Sequence, residues 1–99
     1  MRFLISKTII NRQACRVSKL NLTAKVQRKI IKAFEAIHSL NVIHGDVHAE
    51  NILVTEDGQT VWIVDFEFAD IIDSENIEPL KAAEMECVMA LLNEIKCSD

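Results

Sequence analysis

Two short polar stretches concentrate the side chains able to do chemistry: His44-Gly45-Asp46-Val47-His48-Ala49-Glu50-Asn51 and Val64-Asp65-Phe66-Glu67. Asp46, Asn51 and Asp65 offer hard side-chain oxygens, the donor type that Mg²⁺ prefers. A loop carboxylate such as Asp46 can also take the proton of an incoming hydroxyl. His44, Asp46 and His48 spell His-x-Asp-x-His, three potential ligands for a metal-dependent hydrolase. No further His or Cys cluster supplies the remaining ligands, so that is the weaker reading.

The surrounding pattern predicts an α+β fold that delivers both stretches. Thr23 is a plausible N-cap for a helix over 23–40, with Val26, Ile30, Ala33, Phe34, Ile37 and Leu40 on one side. Lys25, Arg28, Lys29, Lys32 and Glu35 take the other side, and His38 is explained by the dipole at the helix C-terminus. Asn41 tolerates the left-handed conformation that stops such a helix, turning the chain through Val42-Ile43 into the polar loop 44–51. Ile52-Leu53-Val54 and Thr60-Val61-Trp62-Ile63-Val64 flank Asp57-Gly58, which predicts a hairpin over 52–64 that ends at Asp65. After an acidic surface connection, a second helix is expected over 79–96. Leu80, Ala83, Cys87, Leu91 and Ile95 form its apolar face, with Lys81, Glu84, Glu86 and Glu94 more exposed. Residues 1–22 have neither period and read as a poorly defined lead-in with a short strand near Phe3–Ile10.

Composition narrows the class. The chain has 99 residues, 49% of them hydrophobic, with two Gly and one Pro, which favours one small globule over disorder. No apolar run reaches membrane-spanning length and no secretory leader is evident, so a soluble, cytoplasmic protein is expected. Cys15, Cys87 and Cys97 are odd in number and widely spaced, which fits reduced thiols and neither a disulfide framework nor zinc. Residues 1–44 hold nine Lys/Arg against one acid, and residues 45–99 hold two against fourteen acids. The basic residues from Lys25 to Lys32 lie on the solvent side of the first helix, so nucleic acid is not expected as a partner, and without a long apolar run neither is a membrane.

The two loops together resemble the catalytic and metal loops of the protein-kinase-like phosphotransferases. A carboxylate follows a helix, an Asn comes five positions later, and a second Asp closes the next hairpin. The resemblance implies that Asp46 is the catalytic carboxylate and that Asn51 and Asp65 bind Mg²⁺ and, through it, ATP. It also implies that His44 is structural and that Leu53 floors the adenine pocket. The matched segment, 23–69, would be part of the C-terminal lobe of that fold, mainly helical with a small β-hairpin.

Three departures narrow the comparison. Gly45 stands where regulated protein kinases carry the Arg that pairs with a phosphorylated activation loop, which implies no such switch. His48 replaces the catalytic-loop Lys, and His-Gly-Asp-Val-His is closer to the aminoglycoside phosphotransferases, whereas Val-Asp-Phe-Glu-Phe-Ala resembles choline-kinase-like loops. Glu67 stands where protein kinases place Gly, which implies a fixed metal loop.

Within these 99 residues no Gly-rich loop, no Val-Ala-Ile-Lys strand and no partner Glu for that Lys is found. The resemblance therefore implies a truncated lobe with negligible phosphotransfer to protein or small-molecule hydroxyls by itself. The alternative is a pseudokinase-like interaction module without catalysis, whose uncovered surface recruits a protein partner.

Overall fold

The computed structural model describes residues 2–4 and 14–97 and shows an α+β arrangement of two helices and two small sheets. In chain order the elements are β1 (Arg2–Leu4), β2 (Ala14–Arg16), α1 (Ala24–Ser39), β3 (Val42–Ile43), β4 (Ile52–Thr55), β5 (Val61–Val64), β6 (Asp70–Ile71) and α2 (Ile77–Cys97). Among the described residues no helix is long and apolar enough to cross a membrane.

Helix α1 begins where the Thr23 hydroxyl accepts the Val26 N–H at 3.1 Å, satisfying one of the first-turn donors that lack a helical partner. Val26, Ile30, Ala33, Phe34 and Ile37 are buried along one stripe, while Lys25, Arg28, Lys32 and Glu35 are exposed. The helix ends because Asn41 takes a φ of 60° and donates its N–H to the His38 carbonyl at 2.9 Å. Leu40 lies past the last turn and is 68% exposed, so it does not share the buried face that its spacing suggested.

The β4–β5 hairpin turns at Asp57-Gly58. Gly58 adopts a φ of 71° and donates to the Thr55 carbonyl at 2.9 Å. Asp57 accepts the Gln59 N–H at 3.0 Å and the Thr55 hydroxyl at 2.7 Å. These two donors, the Gln59 amide first, hold the Asp57 carboxyl below its ordinary pKa.

This hairpin is the centre of a four-stranded sheet in the order β1-β5-β4-β2. β1 runs parallel to β5, with Phe3 opposite Ile63, and β2 runs antiparallel to β4, with Cys15 opposite Val54. The lead-in is therefore partly strand, because unpaired backbone at both hairpin edges captures residues whose own periodicity is weak. The strand expected near Phe3–Ile10 is seen only as Arg2–Leu4, and its remainder lies outside the described residues.

Ile52, Val54, Val61 and Ile63 face α1 and join one core with Val26, Ile30, Phe34 and Ile37. Strand alternation puts Leu53, which is opposite Trp62 in the register, on the other face.

Helix α2 closes the core with Val88, Leu92 and Ile95, and its buried stripe also contains Ile77 and Glu84. Ile95 lies on that stripe and Leu91 packs partly against it, as expected, but Leu80 is 42% exposed, and Ala83 and Cys87 are exposed. An acidic side chain lies in the middle of the buried stripe, so apolar periodicity alone misplaces the N-terminal half of the face. The connection before α2 is not wholly irregular, since β6 pairs antiparallel with β3, Ile43 opposite Asp70.

Candidate active site

The loop 44–51 runs from β3 into a single 3₁₀ turn, Ala49–Asn51, which feeds β4. The turn is closed by the Asn51 N–H donating to the His48 carbonyl at 2.9 Å. It places the Asn51 side chain, 4% exposed, back against Asp46. Asn51 Nδ2 donates to the Asp46 carbonyl at 2.9 Å and to Asp46 Oδ2 at 3.1 Å. The other carboxylate oxygen, Oδ1, lies 3.0 Å from His48 Nε2. Asp46 is thus held in one orientation from two sides, although the His48 side chain is 70% exposed and its grip is correspondingly screened.

His44 is fully buried and ties this loop to the hairpin exit. Its Nε2–H donates to the Val64 carbonyl at 2.8 Å, while Nδ1 accepts the Asp46 N–H at 3.2 Å. A backbone carbonyl can only accept and an N–H can only donate, so these two bonds put the ring proton on Nε2. The ring also meets Phe66 edge-on at 4.7 Å and Phe34 at 6.1 Å. With both nitrogens occupied, His44 has none to give a metal, and among the described residues no three His, Cys, Asp or Glu side chains converge as a metal cluster. The His-x-Asp-x-His hydrolase reading fails on that geometry.

The segment at Asp65 is correspondingly fixed. Asp65 has a φ of 65°, directly after the carbonyl that His44 holds, and Asp and Asn tolerate this region better than most residues. Glu67 is not among the positive-φ residues, so the left-handed step lies two residues before the position that protein kinases fill with Gly. Leu53 sits in β4 at 9% exposure, outside the core cluster that β4 shares with α1.

Gly45 has a structural reason. Its φ is 86°, and a Cβ built there would lie 2.6 Å from the Phe68 carbonyl oxygen. Any side chain at this position, Arg included, would force the two loops apart.

Glu84 is the residue that sequence reasoning missed. Expected on the exposed side of α2, it is 6% exposed and reaches under the loop. Its Oε1 accepts the His44 N–H at 2.9 Å and its Oε2 accepts the Gly45 N–H at 2.8 Å. His38 Nε2 lies 2.9 Å from Oε1, so this buried histidine of α1 is explained by a carboxylate partner and not by the helix dipole alone. Three donors from α1 and the loop offset the cost of burying one carboxylate. The available signal was a His on an otherwise apolar stripe facing a helix with an acid at its centre.

The protein kinase domain model matches residues 5–88. A probable serine/threonine-protein kinase of Clostridium perfringens is 47% identical over 49 residues, covering 50% of this chain and 7% of that protein. A probable serine/threonine-protein kinase of Dictyostelium discoideum is 36% identical over 72 residues, covering 70% and 14%. The 3-deoxy-D-manno-octulosonic acid kinase of Pasteurella multocida is 40% identical over 48 residues, covering 46% and 20%. The chain spans a fifth or less of the length of these relatives, yet the family model covers most of its own length. It belongs to the protein kinase domain family.

Proposed function

We propose that the chain is part of the C-terminal lobe of a kinase-like phosphotransferase, carrying the residues that receive a hydroxyl substrate and hold a metal nucleotide. The observation that carries this reading is the Asp46–Asn51 pair, bonded at 3.1 Å on a loop that His44 ties to the residue before Asp65. Asp46 is the proton acceptor: with its carboxylate oriented by Asn51 and His48, it takes the proton of an acceptor hydroxyl as that oxygen bonds to phosphorus. Asn51 commits its Nδ2 to Asp46, which leaves its Oδ1 as the atom for a cation, and Asp65 adds a carboxylate. This all-oxygen donor set fits Mg²⁺, which when bound would neutralise charge on the nucleotide phosphates. Leu53 lies on the sheet face turned away from α1, a position suited to an adenine floor. His44 is structural, since its hydrogen bonds leave no nitrogen for proton transfer.

The 99 residues alone turn over ATP negligibly, because catalysis of this kind is mostly positioning and electrostatics and no phosphate-binding Lys or Gly-rich loop is present. The test is thermal denaturation with and without Mg·ATP. Stabilisation that disappears in Asp65→Ala supports the reading, and no stabilisation of the unaltered chain overturns it. Steady ATP hydrolysis that Asp46→Ala abolishes would overturn the inactivity.

A second reading is a pseudokinase-like module that binds a protein. It is favoured by Leu20, Phe68, Ile71 and Met89, which are 97%, 64%, 78% and 50% exposed. Absent nucleotide binding combined with a stoichiometric partner complex would favour it.

A further inference from the structure

Beside Asp46 lies a cavity of about 430 Å³, walled by Ile43, Val47, Leu80, Ala83 and Cys87. Leu80, Ala83 and Cys87 of α2, which lie off the core stripe, form one bank of a groove whose other bank is the loop 44–51. Asp46 opens into this groove, and His48 and Glu84 also line it. Glu84 is already committed to His38 and two backbone amides, so its carboxylate is not available to a ligand. No Lys or Arg stands among the described lining residues.

From this we infer that the groove is the phosphoryl-acceptor subsite and selects an alcohol with an apolar skeleton beside its hydroxyl and no anionic group there. The inference rests on the phosphotransferase reading above. An acceptor carboxylate would meet Asp46 with no Lys or Arg in the lining to offset the repulsion, in a groove whose walls exclude part of the water. A methylene chain instead removes the exposed surface of Leu80, Ala83 and Val47 from water. In the reaction the alcohol oxygen forms a bond to the γ-phosphorus of a nucleoside triphosphate. The bond from that phosphorus to the β–γ bridging oxygen breaks, the nucleoside diphosphate leaves, and the hydroxyl proton passes to Asp46. This acceptor differs in kind from the sugar acid named for the Pasteurella multocida relative.

The experiment compares 1-hexanol with hexanoate, which share an apolar body and differ in the head group, by NMR titration of the 99-residue chain. Hexanol is expected to shift the Val47, Ala83 and Cys87 signals and to bind at least about tenfold more tightly than hexanoate. Ala83→Lys, at an exposed position, should reverse the order of the pair. Equal or tighter binding of hexanoate to the unaltered chain overturns the inference, as do hexanol shifts centred on Leu20 or Met89. A Mg·ATP thermal shift that survives alongside either result confines the failure to the acceptor class. Groove binding of hexanol with no Mg·ATP shift overturns the phosphotransferase reading and, with it, the acceptor role.

Discussion

Helices α1 and α2 pack on the same core but bury different kinds of face. α1 buries a stripe that is apolar from Val26 through Ile30, Ala33 and Phe34 to Ile37 and ends at His38, with cations on the far side. α2 buries Ile77, Val88, Leu92 and Ile95 with a carboxylate among them, and leaves Leu80, Ala83 and Cys87 exposed on the loop side. The difference shows that α1 is a packing helix, whereas α2 serves two ends: its C-terminal half packs, and Glu84 in its N-terminal half holds the loop 44–51. A stripe of apolar residues identifies the first kind and misleads for the second.

Breaking α2 at its polar centre should have the largest effect. Glu84→Ala leaves the His44 and Gly45 N–H groups and His38 without their acceptor, and a loss of about 3–5 kcal/mol is expected in urea denaturation. Leu92→Ala should cost about 2–5 kcal/mol by opening a cavity. Leu80→Ala should stay within about 0.5 kcal/mol, the range of an exposed site. Equal losses at Leu80 and Leu92 would mean that the helix is rotated from the orientation described.

Gly45→Ala tests the other partner of Glu84, the loop. A strained φ and the approach to the Phe68 carbonyl predict a loss of about 1–3 kcal/mol, visible as a lowered Tm. The smallest effect lies far from both, in the hairpin turn. Asp57 has its pKa depressed in the folded state, so its contribution is fully present above the unfolded-state pKa. That contribution fades as pH falls through the folded-state value. Asp57→Asn should flatten this acid-side part of the stability curve, measured by denaturant midpoints at successive pH values.

Much of the architecture was legible because local rules and tertiary packing agree. Thr23 caps α1 at its start, Asn41 takes the left-handed turn at its end, and Asp57-Gly58 turns the hairpin. The loop spacing also marked Asp46 and Asn51, which the structure brings into hydrogen-bond contact. What stayed hidden depends on partners distant in sequence. β1 and β2 are strands because β5 and β4 offer them edges, not because Arg2–Leu4 or Ala14–Arg16 announce themselves. Glu84 is buried because donors 40 and 46 residues away converge on it, a fact that no window of α2 contains. Gly45 looked like a lost regulatory Arg, whereas the approach of Phe68 supplies a steric reason for it.

In the proposed reading Asp46, Asn51 and Asp65 serve one metal nucleotide. Paramagnetic broadening by Mn·ADP, followed residue by residue in the NMR spectrum, addresses this most directly. Broadening should be strongest at Asp46, Asn51 and Asp65 and should vanish in Asp65→Ala. Broadening centred on the acidic segment 67–78, or spread evenly over the surface, would contradict the account.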